Sequence, residues 1–170
     1  VQAFFERVGH QVGEGKIVVK KNDDDVEWRG QYQSVPIRIR HDTFGDIEME
    51  AKVNNPHGLL SLGWDPAKVE ETATNDAWSD EDDICVLVGK AVFVEGTPDE
   101  VDEELAHFRC FPQEAVQAVM ARMGEHEIGY WHVGESRVAL GFTPKLDDLA
   151  DAEERVSQAA QLLGWFVQVL

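Results

Sequence analysis

The chain has 170 residues, 43% of them hydrophobic, and 33 Asp and Glu against 15 Lys and Arg, for a formal net charge of −18. Such a surface repels phosphate backbones and anionic headgroups, which argues against nucleic-acid and membrane-surface roles, while five Trp and eight Phe exclude a disordered acidic tail. No apolar run approaches the ~20 residues that a membrane-spanning helix needs, so no membrane insertion is expected.

The first twelve residues place Phe4, Phe5, Val8 and Val12 on one face of an amphipathic helix that ends near Gly13. Lys16 to Lys21 reads as a strand, and Asn22 to Asp25 as a turn. The period then changes to two. Val26, Trp28, Gly30 and Tyr32 alternate with Glu27, Arg29 and Gln31; Val35, Ile37 and Ile39 alternate with Arg38 and Arg40; Ile47, Met49, Ala51 and Val53 alternate with Glu48, Glu50 and Lys52. This is an antiparallel meander with one dry and one wet face. A turn at His41–Gly45 pairs Arg40 with Glu48 and Arg38 with Glu50, which accounts for those arginines without a ligand.

Asn54 to Gly58 breaks the ladder, and Gly58 to Asp65 reads as a further short strand. Residues 66–83 carry seven acids and little to bury, and read as a helical turn or loop. The apolar runs Ile84–Val88 and Ala91–Val94 form either one bulged strand or a hairpin turning at Gly89-Lys90. Thr97-Pro98-Asp99-Glu100 has the composition of a capping box with proline at N1, opening a helix that buries Val101, Leu105 and Phe108. A second helix starts near Pro112 and stops at Gly124. Glu127–Val133 and Arg137–Thr143 form a hairpin, and a last helix runs from about Leu146 to Leu163 with Gly164 as its C′ residue. The segment Trp165–Leu170 is apolar and must dock. The fold class is therefore α+β: an antiparallel β-meander sheet with helices packed on one face, in the order α-ββββ-β-αα-ββ-α. Residues 1–170 read as a single domain, and an opening on Val1 rather than Met is expected of a piece of a longer protein.

Chemistry is sparse. Twenty acids lie in four windows without Lys or Arg: 22–25, 69–83, 99–104 and 147–154. Two of these windows open helices, where carboxylates meet the positive end of the dipole. The run Asp76–Asp83 lacks the glycine and spaced glutamate of a calcium loop and reads as a solvated loop around Trp78. The six histidines and two cysteines show no metal-ligand spacing, and Cys85 and Cys110 read as buried free thiols suited to a reducing cytoplasm. No Gly-x-Ser-x-Gly elbow, Walker pattern or dinucleotide fingerprint is present. No catalytic residue, metal ligand or cofactor is therefore assigned.

The element order, and most closely the stretch from Glu127-Ile-Gly-Tyr-Trp131 to Leu146-Asp-Asp-Leu-Ala150, resembles the class I chaperones of type III secretion and related bacterial chaperone-like domains. The resemblance runs through residues 1–54 and 98–163; residues 55–96 add strands and an acidic loop beyond that pattern. It implies a small acidic α+β protein that dimerises and binds an extended segment of a client. The expected function is a non-enzymatic protein-interaction domain, with a protein partner or a second copy of itself as partner. Trp78, Asp80, Glu81, Asp82, Trp165 and Phe166 are its expected contact residues. The alternative is a small-molecule binding domain, with an aromatic-lined pocket formed between sheet and helices by Trp28, Tyr32, Tyr130 and Trp131.

Overall fold

The computed structural model describes residues 2–19, 26–41, 46–68, 83–144 and 148–170. The expected turns at 22–25 and 42–45, the acidic stretch 69–82, Lys20, Lys21, Leu146 and Asp147 lie outside the described residues, as does the side chain of Val8. The class is α+β, and every strand pairing within each unit is antiparallel. The chain forms two compact units: Val1–Asn54 with Ser136–Leu170, and Asn55–Glu135.

The first unit contains helix α1 (Gln2–Val12), strands β1 (Gly15–Val19), β2 (Val26–Tyr32), β3 (Val35–His41) and β4 (Ile47–Lys52), and, from the C-terminal part, β9 (Arg137–Phe142) and helix α4 (Leu149–Val169). Its strands run in the order β1-β2-β3-β4-β9. The alternation of period two fixes the register. Trp28, Ile39, Met49 and Leu140 form one cross-strand row, at most 3% exposed, on the dry face. Both helices cover this face: Gly9 of α1 lies against Trp28, and Gly164 of α4 lies against Tyr32. The helices-on-one-face architecture therefore holds here. The opposite face carries the charges, and the expected pairs Arg38–Glu50 (2.7 Å) and Arg40–Glu48 are both formed. The β2–β3 loop is only Gln33 and Ser34, both at positive φ (46° and 71°), a hairpin turn built without Asn or Gly.

The second unit contains β5 (Leu60–Trp64), β6 (Ile84–Gly89), β7 (Val92–Gly96), helices α2 (Pro98–Cys110) and α3 (Gln113–His126), and β8 (Tyr130–Val133), with strand order β8-β5-β7-β6. The run 84–96 is a hairpin, but its turn is Lys90-Ala91, one residue later than Gly89-Lys90; Ala91 takes φ 59°, and a register shift lies between Leu87 and Gly89. Val92, Phe93 and Val94 are consecutive yet 1%, 4% and 1% exposed, so both faces of β7 are covered. Covered faces on both sides explain why the apolar run is continuous rather than alternating, and the one-face architecture does not extend to this strand. The capping box is present: the Glu100 amide donates to Thr97 Oγ1 and the Thr97 amide to Glu100 Oε2. Of the three residues that α2 was expected to bury, Val101 is buried, and Leu105 and Phe108 are half-buried. The break after β4 is held by Asn55, 6% exposed, whose amide donates to the Gly58 and Gly134 carbonyls and accepts from the His57 N–H.

Two helices run past the glycines expected to end them. Helix α3 continues to His126 and α4 to Val169, leaving Gly124 and Gly164 as interior positions. A Cβ on Gly124 would stand 3.4 Å from the Trp64 ring, and one on Gly164 3.0 Å from the Tyr32 ring. These glycines seat an aromatic from the neighbouring strand rather than cap a helix. The segment from Trp165 continues α4, whose N-cap Asp148 accepts from the Asp151 amide; only Phe166 of this segment is buried, whereas Trp165 and Val169 are exposed, so the expected docking of the whole segment does not hold.

Candidate functional site

Of the expected contact residues, Trp78, Asp80, Glu81 and Asp82 lie outside the described residues. Trp165 and Phe166 are adjacent on α4 and point apart: Trp165 is 37% exposed and Phe166 is buried. Of the expected pocket residues, Trp28 and Tyr32 share the dry face of β2, whereas Tyr130 and Trp131 are neighbours on β8 in the other unit. Alternation turns Tyr130 and Trp131 to opposite faces, with Trp131 1% exposed and filling core.

Three features stand out as candidate sites. The first is the free edge of β6. This strand, Ile84-Cys85-Val86-Leu87-Val88-Gly89, pairs only with β7 among the described residues and ends the strand order of its unit. It carries no charged residue, none of its six residues is buried, and Leu87 is 45% exposed. Proteins usually blunt such edges with Lys, Pro or a bulge; here the register shift lies at the turn end and leaves Ile84–Leu87 regular.

The second is a polar cluster on α2, β5 and β8. Ser61 and His132 are cross-strand partners, with Ser61 Oγ 2.6 Å from His132 Nδ1. The Ser61 amide donates to Glu104 Oε2 at 2.7 Å, and His107 Nδ1 donates to the Leu59 carbonyl at 2.6 Å. Burial pushes the Glu104 carboxyl above its ordinary range, while its hydrogen bonds from Ser61 and the nearby His107 pull it back. Imidazole and carboxylate both converge on Ser61, whereas a nucleophile relay strings hydroxyl, imidazole and acid in that order. The cluster therefore reads as a clamp fastening α2 to β5. Glu104 and His107, three residues apart on α2, are both brought to β5 by the helix.

The third is a cavity of about 560 Å³ between α1 and the β1–β2 hairpin of the first unit. Phe5, Ile17 and Trp28 form its apolar wall, Gly9, Gly13 and Gly15 contribute bare backbone, and Glu6, His10 and Glu14 complete the lining. Trp28 was legible as a candidate from sequence; the glycines around it were not, because their spacing matches no phosphate-loop pattern.

Among the described residues no group of three or more His, Cys, Asp or Glu could hold a metal ion, and no helix is long and apolar enough to cross a membrane. Both cysteines are free, but neither is buried: Cys85 is half-buried and Cys110, expected in the core, is exposed where α2 ends. Burial still pushes the Cys85 thiol up, with Lys68 pulling it down and Glu95 adding to the rise.

No family model matches the sequence, and no curated protein matches it. Among solved structures the chain is similar to the crystal structure of the mycobacterial trehalose monomycolate transport factor A, TtfA, with 8% sequence identity and a TM-score of 0.47 over 95% of this chain and 93% of that one.

Proposed function

We propose that this chain is a non-enzymatic protein-interaction domain, chaperone-like or scaffolding, which takes an extended segment of a protein partner along the free edge of β6. The observation that supports it is the six-residue uncharged strand whose outer edge no described strand covers. An extended segment laid there gains main-chain hydrogen bonds, and the half-exposed side chains of β6 supply apolar contact at alternate positions. The simplest partner is a second copy of the chain, pairing β6 with β6. This mode agrees with what the resemblance to class I type III secretion chaperones implies. A cytoplasmic setting belongs to the same reading, since an exposed free thiol such as Cys110 persists best where the medium is reducing.

The test is light scattering combined with amide hydrogen exchange across a concentration series. The expected result is a mass rising toward twice that of the chain, with residues 84–87 gaining protection as it does, and both effects lost in Leu87→Lys. That substitution charges an exposed edge position without touching the core. A strictly monomeric chain whose β6 amides exchange rapidly at every concentration, with client segments present or absent, removes the reading.

A further inference from the structure

We propose that the charged face of the first unit's sheet docks a short acidic segment of a protein partner, whose carboxylates settle on Lys16, Arg29, Lys52 and Arg137. This inference is independent of the β6 edge, which lies in the other unit, and the two readings can fail separately.

The strand register sets like charges directly opposite one another. Lys16 faces Arg29 across β1 and β2, Arg29 faces Arg38 across β2 and β3, and Lys52 faces Arg137 across β4 and β9. Like charges at opposed positions of an antiparallel pair are destabilising, so the fold itself gains nothing from them. The glutamates of this face relieve only part of the repulsion. Glu27 bridges Arg29 and Arg38, and Glu50 bridges Arg38 at 2.7 Å and Arg137 at 3.5 Å, so three guanidiniums share two carboxylates. Arg40 is answered by Glu48 and adds no surplus. Lys16 and Lys52 are exposed and have no acidic partner among the described residues. The surplus therefore lies on these two lysines and on Arg29 and Arg137, which are exposed as well. In a chain of net charge −18, a basic surplus gathered on one face breaks a local rule where an anionic ligand would repair it.

The face is open to such a ligand. Helices α1 and α4 cover the opposite, dry face of the sheet. On the charged side a hollow of about 310 Å³ lies among Arg29, Pro36, Arg38, Glu50 and Lys52. Its floor is strand backbone at Gly30, Ile37 and Ala51, since Ile37 and Ala51 turn their buried side chains to the dry face. A side-chain carboxylate entering this hollow lies between the Lys52 ammonium and the guanidiniums of Arg29 and Arg38.

Charge and reach set the partner. Beyond a screening length of about 8 Å the net charge of −18 repels any anion, so the face attracts only at close range. A nucleic acid would run past the patch onto the acidic remainder of the surface. A short segment with a few carboxylates places its whole charge on the basic residues, and successive side chains of an extended segment match the spacing of the strands beneath.

The experiment uses the full chain labelled with nitrogen-15 and follows its backbone amides. The probe is an end-blocked peptide of alternating Glu and Ser, and the control is the same peptide with Gln for Glu. The expected result at about 50 mM salt is a saturable shift of the Lys16, Arg29 and Lys52 amides with a midpoint at or below about 1 mM, lost at about 0.5 M salt. The Gln peptide is expected to shift none of them. Lys16→Gln with Lys52→Gln is expected to weaken binding about three- to tenfold while raising the urea midpoint, because it removes repulsion along with the docking charges. The proposal is overturned if the Glu peptide gives no saturable shift up to about 10 mM, if the Gln peptide acts equally, if the double variant binds unchanged, or if its urea midpoint falls. Tighter binding of inorganic phosphate or a thymidine oligonucleotide at the same ionic strength overturns the assignment to a protein segment. The same shifts on concentrating the chain alone name a second copy as occupant and overturn the assignment to a separate partner.

Discussion

Three glycines inside helices face aromatic rings from neighbouring strands, and replacing each with alanine yields a graded test of that packing. Every replacement gains about 0.8–1.0 kcal/mol in helix propensity. What differs is the room for the new methyl. At Gly124 the Cβ would meet only Trp64 Nε1, at 3.4 Å, an ordinary contact, so Gly124→Ala is expected to stabilise by about 1 kcal/mol. At Gly164 the Cβ would lie 3.0 and 3.2 Å from two Tyr32 ring atoms. Tyr32 is half-buried at a strand end and can give by tenths of an ångström, so gain and crowding offset to within about 0.5 kcal/mol. At Gly9 the Cβ would stand 2.3 Å from Trp28 Nε1 and 2.6 Å from Cδ1, and Gly15 and Gly30 hold the ring from the other end. The ring has nowhere to go, overpacking of about 3 kcal/mol exceeds the propensity gain, and the net loss is about 2 kcal/mol. Urea unfolding followed by circular dichroism measures all three, and in thermal scans each kcal/mol corresponds to roughly 2–4 °C. Equal gains at the three sites would refute the reasoning, because they would mean that no ring rests on any of these glycines; a stabilised Gly9→Ala alone would displace Trp28.

Four further outcomes follow from the same contacts. Arg38 bridges Glu27, which is only 3% exposed, and Glu50, so Arg38→Ala is expected to cost about 1–3 kcal/mol in urea unfolding, whereas Arg40→Ala, which removes a more exposed pair with Glu48, costs under about 1 kcal/mol. Ser34→Gly relieves a left-handed serine in the β2–β3 turn and is expected to raise stability by about 1 kcal/mol, read from the denaturation midpoint. In thiol titration with an aromatic disulfide reagent, Cys110 is expected to react first and Cys85 to lag, because Cys85 is half-buried with its thiol pushed up; Cys110→Ser should abolish the fast phase alone. The folded-state pKa of Glu104 lies above its unfolded value, so the native state holds the extra proton between the two, and this group favours folding most below the ordinary carboxylate range. Its contribution declines as pH rises through the folded pKa. Glu104→Gln keeps an acceptor for the Ser61 amide, and is expected to gain on the wild type in denaturation midpoints as pH rises from the ordinary carboxylate range through the folded pKa.

Where physics is local, the sequence by itself determined the structure. Alternation over residues 26–53 fixed the strands, the face each side chain takes, and the pairs Arg38–Glu50 and Arg40–Glu48, because a one-residue slip would put every apolar side chain into water. Thr97 and Glu100 fixed the start of α2, since the cap satisfies amides that no distant residue supplies. Tertiary structure decided the rest. Gly124 and Gly164 read as helix ends because the sequence does not show the Trp64 and Tyr32 rings that require a missing side chain there. Cys110 read as core because a free thiol is most often buried and Phe111 follows it, but the helix turns it outward. The meeting of Ser61, His132 and Glu104 joins three elements up to 71 residues apart, and no spacing rule spans that distance. The cavity at Trp28 was only half legible: the tryptophan could be read from the strand pattern, but the hollow exists because α1 and the β1–β2 hairpin bring Gly9, Gly13 and Gly15 to one place, where bare backbone leaves space that side chains would fill.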